Sequence, residues 1–413
     1  MNRTLATLAG LIIGIAAGAL TVARGWPATD ALAAANLIGT LWLDALRMTV
    51  LPLVITLTAT GTARAIAAAS GGAVIRRAAL LGLVLLVVSA AVAMLLGPPL
   101  LAAWSPDPAS LAALRGAGTP VPGHIAGSGD ALLGLVAPNL AAAAAEGTIP
   151  PLAIFALLFG VAAARLPAER TRTILDALAQ AAEIVLVIVG WVLTLAPIGV
   201  AALGFALGAR LGLGAGSALA SYVGTQIAVT VVLGVAMYAL AAVGGRVSLG
   251  SFARAALEPQ AVAASTQSSL AALPAMLAAA GRLTAGSASA PAAVLPLAVA
   301  LFRLAAPASI VIVTLATAHL HGTHLAPATL VTVGGLAILG TLIIAGLPNQ
   351  TTFFAAYAPA LLAANLPIDL LPLFLAVDVI PDIFYTVTNV TADLAVAATA
   401  GSTPTIAEDR ATP

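Results

Sequence analysis

The sequence contains no cysteine and little charge: of its 413 residues only 8% are charged, and all sixteen basic residues are arginine. The absence of cysteine excludes a disulfide framework, a thiolate metal site and a thiol nucleophile. A soluble domain carries about 25% charged residues, so this shortage of charge excludes a soluble globular protein. The formal net charge of +1 gives no indication of nucleic-acid binding, and we expect no nucleic-acid partner.

Apolar residues make up most of the chain, with 61% hydrophobic residues and a mean hydropathy of +1.11. A membrane-spanning helix needs about 20 mainly apolar residues, and long continuous apolar runs differ from the alternating pattern of an outer-membrane barrel. We therefore predict an all-α polytopic membrane protein with eight transmembrane helices, at about 4–24, 36–60, 78–103, 150–165, 178–207, 217–244, 290–320 and 367–400.

Two further apolar regions, at about 255–283 and 327–365, are each interrupted near the middle by small and polar residues. The interruptions are Ser265–Pro274, which begins Ser-Thr-Gln-Ser-Ser, and Ala345–Thr352, which begins Ala-Gly-Leu-Pro. Each flank has roughly ten to fourteen apolar residues, too few to cross a hydrocarbon core of about 30 Å. Non-helical backbone is tolerated at membrane depth only inside protein or beside a cavity, so the sequence predicts two re-entrant helical hairpins.

Arginines are concentrated in alternate connections between the apolar runs. The rich connections carry Arg64, Arg76, Arg77, Arg165, Arg170, Arg172, Arg246, Arg254 and Arg282, whereas the others hold Arg24, Arg115 and Arg210. The Arg-rich side of a membrane protein is cytoplasmic, which predicts a protein of the cytoplasmic (inner) membrane with both termini in the cytoplasm. The first hairpin then enters from the cytoplasm and the second from outside. This inverted repeat is typical of secondary transporters that bind substrate near mid-membrane.

A stripe of polar residues lies near the end of the chain, spaced four, four, three and four residues apart: Asp378, Asp382, Thr386, Asn389 and Asp393. This spacing places them on one helical face. Three carboxylates on one membrane helix are costly, so the stripe predicts a functional site that faces protein or water. The alternative is that these side chains hydrogen-bond neighbouring helices together, but three acids exceed what that role needs.

Several motifs resemble the dicarboxylate/amino acid:cation symporter family, which includes the glutamate transporters. They are Arg47–Val54, Ile154–Gly160, Ala196-Pro-Ile-Gly-Val, the two interrupted tips and Thr388–Asp393, and together they cover nearly the whole chain. The resemblance implies a homotrimer in which residues 1–250 form a scaffold and residues 251–400 form a moving transport core. Parts of the third and sixth helices of the scaffold region are expected to move with the core. The polar tail at 401–413 is expected to be a disordered cytoplasmic segment.

The resemblance also implies a substrate site, formed by Ser268, Ser269, Pro348, Asp382, Tyr385, Thr386 and Asn389. In this comparison Asp382 binds the substrate ammonium and the serine tip contacts its carboxylate. Asn389 matches a ligand of both substrate and cation, and Asp393 matches a sodium-coordinating carboxylate. Asp378 has no direct substrate role in the family, and we expect it to be at least in part structural.

Three departures from the family pattern concern ligands. Tyr385 stands where acidic amino acid carriers have an arginine, and a phenol cannot replace a bidentate guanidinium. Phe302–Ala306 replaces the Asn-Met-Asp-Gly-Thr unwinding of the seventh helix, with Arg303 deep in an apolar helix from Val294 to Ala318. The hydroxyl cluster of the third helix is reduced to Ser89. These losses predict a largely dismantled sodium site.

Arg303 is expected to pair with Asp393 as a tethered cation, because a permanently charged guanidinium can compensate a buried carboxylate. The alternative is that Arg303 extends to the membrane surface. With such a fixed charge, we expect weak or absent sodium coupling. Asp382 is the candidate proton carrier. We expect no cofactor other than sodium or a proton as the coupling ion.

The predicted function is secondary active transport of a small neutral amino acid by alternating access. Tyr385 would either donate to a polar substrate side chain or line an apolar pocket. The alternatives are a C4-dicarboxylate symporter, with Arg303 as an acceptor, and a non-concentrating carrier or sensor. We expect no enzyme, since all three acids share one helix, and no metal site, since His319, His321 and His324 fall in or beside an external connection.

Overall fold

The computed structural model describes residues 3–26, 29–69, 72–103, 136–211, 214–283, 289–344 and 349–401. These residues form sixteen α-helices and no β-strand. The helices are α1 Arg3–Ala23, α2 Thr29–Ala69, α3 Ala73–Ala103, α4 Leu140–Ala145, α5 Ile149–Arg165, α6 Ala168–Thr194, α7 Ala196–Leu211, α8 Gly214–Val243, α9 Leu249–Thr266, α10 Ser269–Leu283, α11 Ser289–Leu301, α12 Ala305–His321, α13 Pro327–Ile344, α14 Asn349–Ala363, α15 Leu371–Val377 and α16 Val379–Gly401.

Within the described ranges, eight segments are long and apolar enough to cross a membrane: α1, α2, α3, α6, α8, the α11–α12 pair, α13 and α16. Large apolar side chains also cover the outer surface, such as Leu95 at 74% exposed and Trp191 at 68% exposed. Exposed apolar patches of this extent indicate contact with a membrane. The predicted all-α polytopic fold with eight spans is confirmed.

The observed set of eight spans differs from the predicted set in one member. Residues 150–165 form α5, whose 17 residues place it among the shorter apolar helices. Its place among the eight is taken by α13, which the sequence assigned to the first arm of a hairpin. The reason is that the apolar stretch of α13 continues unbroken to Ile344, which gives 18 helical residues, or about 27 Å of helix.

The first interrupted region forms two helices joined by a tight turn. Gln267 ends α9 in the left-handed conformation with φ of 52°, and the Ser268 hydroxyl accepts a hydrogen bond from the backbone N–H of Ala271 at the start of α10. Both helices pack against each other and against α16. This helix–turn–helix arrangement agrees with the expected hairpin, whereas its re-entry into the membrane stays a prediction.

The second interrupted region also consists of two helices in contact, α13 and α14. Their connection at 345–348, including the predicted site residue Pro348, lies outside the described residues. The same holds for residues 104–135 and for the tail after Gly401.

Helix α1 packs closely along α7 because glycines remove side chains from the contact. A Cβ atom added at Gly10 would lie 2.5 Å from the carbonyl oxygen of Pro197. Cβ atoms at Gly14 and Gly18 would collide with the carbonyl oxygens of Ala201 and Phe205. Small residues spaced four apart allow membrane helices to approach at backbone distance, and this packing orders the N-terminal half.

Candidate substrate and ion site

The helix expected over Val294–Ala318 is broken, and the site lies at the break. Phe302, Arg303 and Leu304 separate α11 from α12. The expectation of a continuous helix was wrong because partners outside the helix satisfy the freed backbone groups. The side-chain oxygen of Asn389 accepts from the N–H of Ala305 at 2.9 Å, and the hydroxyl of Ser89 donates to the carbonyl of Leu304 at 2.5 Å. Such partners make non-helical backbone tolerable at membrane depth.

A small cavity of about 20 Å³ lies beside this break, between α12, α13, α14 and α16. It is lined by Arg303, Ala306, Ser309, Ile344, Tyr357, Asp382, Tyr385, Thr386 and Asn389. A volume of this size holds about one water molecule. The structure therefore brings together four of the predicted substrate residues and Arg303, in a site too small for an amino acid unless its walls move.

The positive charge of Arg303 is shared between two acids of the stripe. Its guanidinium interacts electrostatically with both Asp382 and Asp393. Asp393 is only 2% exposed, and its Oδ2 has no hydrogen-bond partner within the part of the chain that the structure describes. A buried carboxylate of this kind needs a compensating charge or a proton. A direct Arg303–Asp393 ion pair stays a prediction, and Asp382 is a second electrostatic partner.

Tyr385 also lines the cavity. Its hydroxyl donates to Oδ1 of Asp378 at 3.4 Å and accepts from the hydroxyl of Ser309 at 3.1 Å. Asp378 is 1% exposed and also accepts from the hydroxyl of Tyr222 at 3.5 Å. The phenol proton is therefore used inside the protein, and two tyrosines satisfy Asp378, as expected for a structural acid.

Other predicted ligands are engaged locally. The hydroxyl of Thr386 donates to the carbonyl of Asp382, one turn earlier on α16, at 2.8 Å. Ser268 and Ser269 do not line the cavity, although the neighbouring Gln267 side chain donates to the carbonyl of Val379 at 2.8 Å and so ties the first tip to the start of α16. A substrate contact by these serines stays a prediction.

Sequence analysis missed four residues of the site. Ser309 and Tyr357 line the cavity, and their hydroxyls are 2.8 Å apart. Tyr222 and Gln226 lie behind it, fully buried on α8. A tyrosine and a glutamine four residues apart in an apolar helix share one face, which was a usable signal. Ser309 and Tyr357 offered no comparable pattern.

The histidines lie apart from this cavity. His319 and His321 belong to the last turn of α12 rather than to the following connection. Over the residues described, no group of three or more His, Asp or Glu side chains is placed to hold a metal ion.

The cavity is polar and lies inside an apolar helical protein, at the break of one membrane helix and beside a second helix that carries acids. This arrangement is typical of secondary transporters. The chain belongs to the sodium:dicarboxylate symporter family, whose sequence model matches residues 4–403. The protein is therefore a multi-pass membrane transporter with a small-molecule substrate, and the predicted family is confirmed. No curated protein sequence matches the chain significantly.

Proposed function

We propose that the protein carries a small neutral amino acid across the cytoplasmic membrane by alternating access. The observation that carries this proposal is the cavity itself, which both Asp382 and Tyr385 line. A carboxylate is the natural partner for a substrate ammonium group. A tyrosine in place of arginine removes the bidentate donor that a second substrate carboxylate would need.

Arg303 gives this site a way to admit the ammonium group. The guanidinium interacts with both Asp382 and Asp393. When an ammonium group binds Asp382, Arg303 can turn its charge toward Asp393, so each carboxylate keeps a cation. Binding then exchanges one ion pair for another instead of adding an uncompensated charge to a poorly solvated site.

Opening of the cavity requires α13 and α14 to move, because Ile344 and Tyr357 form one of its walls. These two helices are the arms of the second hairpin. Helix contacts support a division into a scaffold and a moving core: α2 packs on α5, α6 and α7, whereas α3 and α8 pack on the core helices α12 and α16. We propose that parts of α3 and α8 move together with the core. We also propose that the protein is a homotrimer, as the family resemblance implies.

Coupling to sodium is proposed to be weak or absent, because a tethered guanidinium that compensates Asp393 cannot be released to the other side. Any concentration of substrate would then use protons, with Asp382 as the carrier. We also propose that the protein is a carrier and not an enzyme, since none of these roles requires a bond to be broken.

A C4-dicarboxylate is the second candidate substrate, and the observation that favours it is Arg303 in the cavity wall. Uptake of radiolabelled alanine, serine, asparagine and succinate into liposomes tests both candidates, with sodium replaced by potassium or choline at fixed pH. Saturable uptake and counterflow of a neutral amino acid, little changed by sodium, support the proposal. Uptake of succinate alone supports the second candidate, and binding without counterflow indicates a sensor. Strict sodium dependence would contradict the coupling proposal.

A further inference from the structure

The hydroxyl of Tyr385 belongs to a buried polar cluster that extends behind the cavity. Its proton is directed to Asp378, and the hydroxyl of Tyr222 is directed to the same carboxylate oxygen. Ser309 donates to the phenol oxygen of Tyr385 from the other side. Two residues of this cluster, Tyr385 and Ser309, also line the cavity, so the cluster forms part of the cavity wall.

Hydrogen-bond donors in this cluster are already used. The side-chain amide of Gln226 donates to the carbonyl and hydroxyl oxygens of Ser309 at 3.1 and 3.2 Å, and to the Tyr222 oxygen at 3.3 Å. Its own Oε1 is buried and has no hydrogen-bond partner in the described ranges. A carboxylate adds only acceptors. The donors named here are therefore directed at acceptors within the cluster.

The consequence for Tyr385 follows from the chemistry of a phenol. A tyrosine hydroxyl has one proton to donate and lone pairs that accept. Because Asp378 takes the proton, the oxygen can offer only a lone pair to the cavity. A substrate group placed there gains a hydrogen bond if it carries an N–H or O–H, and none if it is a carboxylate.

Charge acts in the same direction. Asp378 lies directly behind Tyr385 with 1% exposure, in surroundings where screening by water is weak. The cation in the cavity wall, Arg303, already interacts with Asp382 and Asp393. A second substrate carboxylate beside Tyr385 would lie close to the negative charge of Asp378 and would compete with these two acids for Arg303.

We propose that the Tyr385 end of the cavity is an acceptor subsite, which selects a substrate whose side chain donates a hydrogen bond (an amide, hydroxyl or ammonium group) and rejects a carboxylate. Asp378 is the positioning residue, because it fixes the direction of the Tyr385 proton. The identity of the rest of the substrate rests on the proposed function, but the donor requirement concerns this subsite alone.

Matched ligand pairs test the subsite with the full-length protein in detergent. L-asparagine and L-aspartate differ in one terminal group, as do succinamate and succinate, and the second pair lacks an amine. Dissociation constants are measured by calorimetry at constant pH and salt. We expect the amide of each pair to bind about tenfold more tightly, which is the upper end of the range for one neutral hydrogen bond.

Three variants assign the effect. Tyr385→Phe removes the acceptor and should bring the amide-to-carboxylate ratio close to one. Asp378→Asn supplies an N–H to the phenol oxygen and frees its proton, so the ratio should fall or invert. Tyr238→Phe is the control, because that hydroxyl bonds Gln260 on α9 rather than lining the cavity, and its ratio should equal that of the unchanged protein.

The ratio compares two ligands on one protein, so partial unfolding of a variant cannot imitate the result. Tighter binding of the carboxylate in both pairs, or a wild-type ratio in Tyr385→Phe, would overturn the subsite. Binding of succinamate over succinate without binding of any amino acid would overturn the proposed function and retain the subsite. Binding of none of the four ligands would overturn both.

Discussion

Asn389 on α16 accepts a hydrogen bond from the backbone N–H of Ala305, the first residue of α12. This contact joins the polar stripe to the break in the preceding membrane helix. The break therefore needs no unwinding motif in its own helix, because another helix supplies the hydrogen-bond partner. The Ser89 hydroxyl does the same for the carbonyl of Leu304 from α3.

The role of Asp382 is tested by Asp382→Asn, which removes the charge partner of the substrate ammonium while keeping the shape of the side chain. Amino acid binding should weaken by roughly 1.5–3 kcal/mol, the scale of a hydrogen bond to a charged group. Calorimetric titration with the amino acid transported best measures the change. Unchanged affinity would mean that the cargo has no amine, which would favour a dicarboxylate.

The role of Arg303 is tested by Arg303→Met, which keeps much of the side-chain volume but leaves Asp382 and Asp393 without their cation. Removing one partner of a buried ion pair costs about 3–5 kcal/mol, so the apparent melting temperature in detergent should fall clearly. Adding Asp393→Asn should restore part of the loss.

Arg282→Met is the matched control for this experiment. Its guanidinium lies 3.6 Å from Glu258 in a pair whose side chains are 54% and 64% exposed. Loss of an exposed pair costs about 1 kcal/mol or less. Equal effects of Arg303→Met and Arg282→Met would show that Arg303 does not compensate buried charge.

Ser89→Ala tests the support of the helix break. The change leaves the carbonyl of Leu304 without its donor, which should cost about 1–3 kcal/mol of stability and weaken substrate binding. Thr314→Val serves as the control, because the Thr314 hydroxyl donates to the carbonyl of Ile310 in its own helix. Thermal unfolding, monitored by size-exclusion chromatography, compares the stability of the two variants. A Ser89→Ala protein as stable as the Thr314→Val control would refute this support.

Gly14→Ala tests the packing of α1 on α7. The new Cβ would collide with the backbone carbonyl of Ala201, and backbone cannot yield as a flexible side chain can. Overpacking typically costs about 1–3 kcal/mol. Gly190→Ala is the control, since a Cβ there meets nothing within 4 Å and alanine favours a helix by up to about 1 kcal/mol. A Gly14→Ala protein as stable as the control would exclude close backbone packing.

The sequence by itself determined the class of the protein, because composition and apolar run length act locally along the chain. It predicted eight spans, a break within 265–274, which the structure places at Gln267 and Ser268, and the family. It also placed Asp382, Thr386 and Asn389 on one face of α16, since helical period depends only on spacing. The re-entrant entry of the hairpins, the trimer and the cargo stay predictions.

Only the tertiary structure decided which partners these residues meet. Ser89 reaches a carbonyl 215 residues away, and Asn389 reaches an N–H 84 residues away, so no local pattern encodes either contact. The same applies to Tyr385, whose proton direction depends on how α8, α12 and α16 pack around Asp378. A side chain's chemistry is written in the sequence, but whether its donor faces a substrate or a buried acid depends on which helices pack beside it.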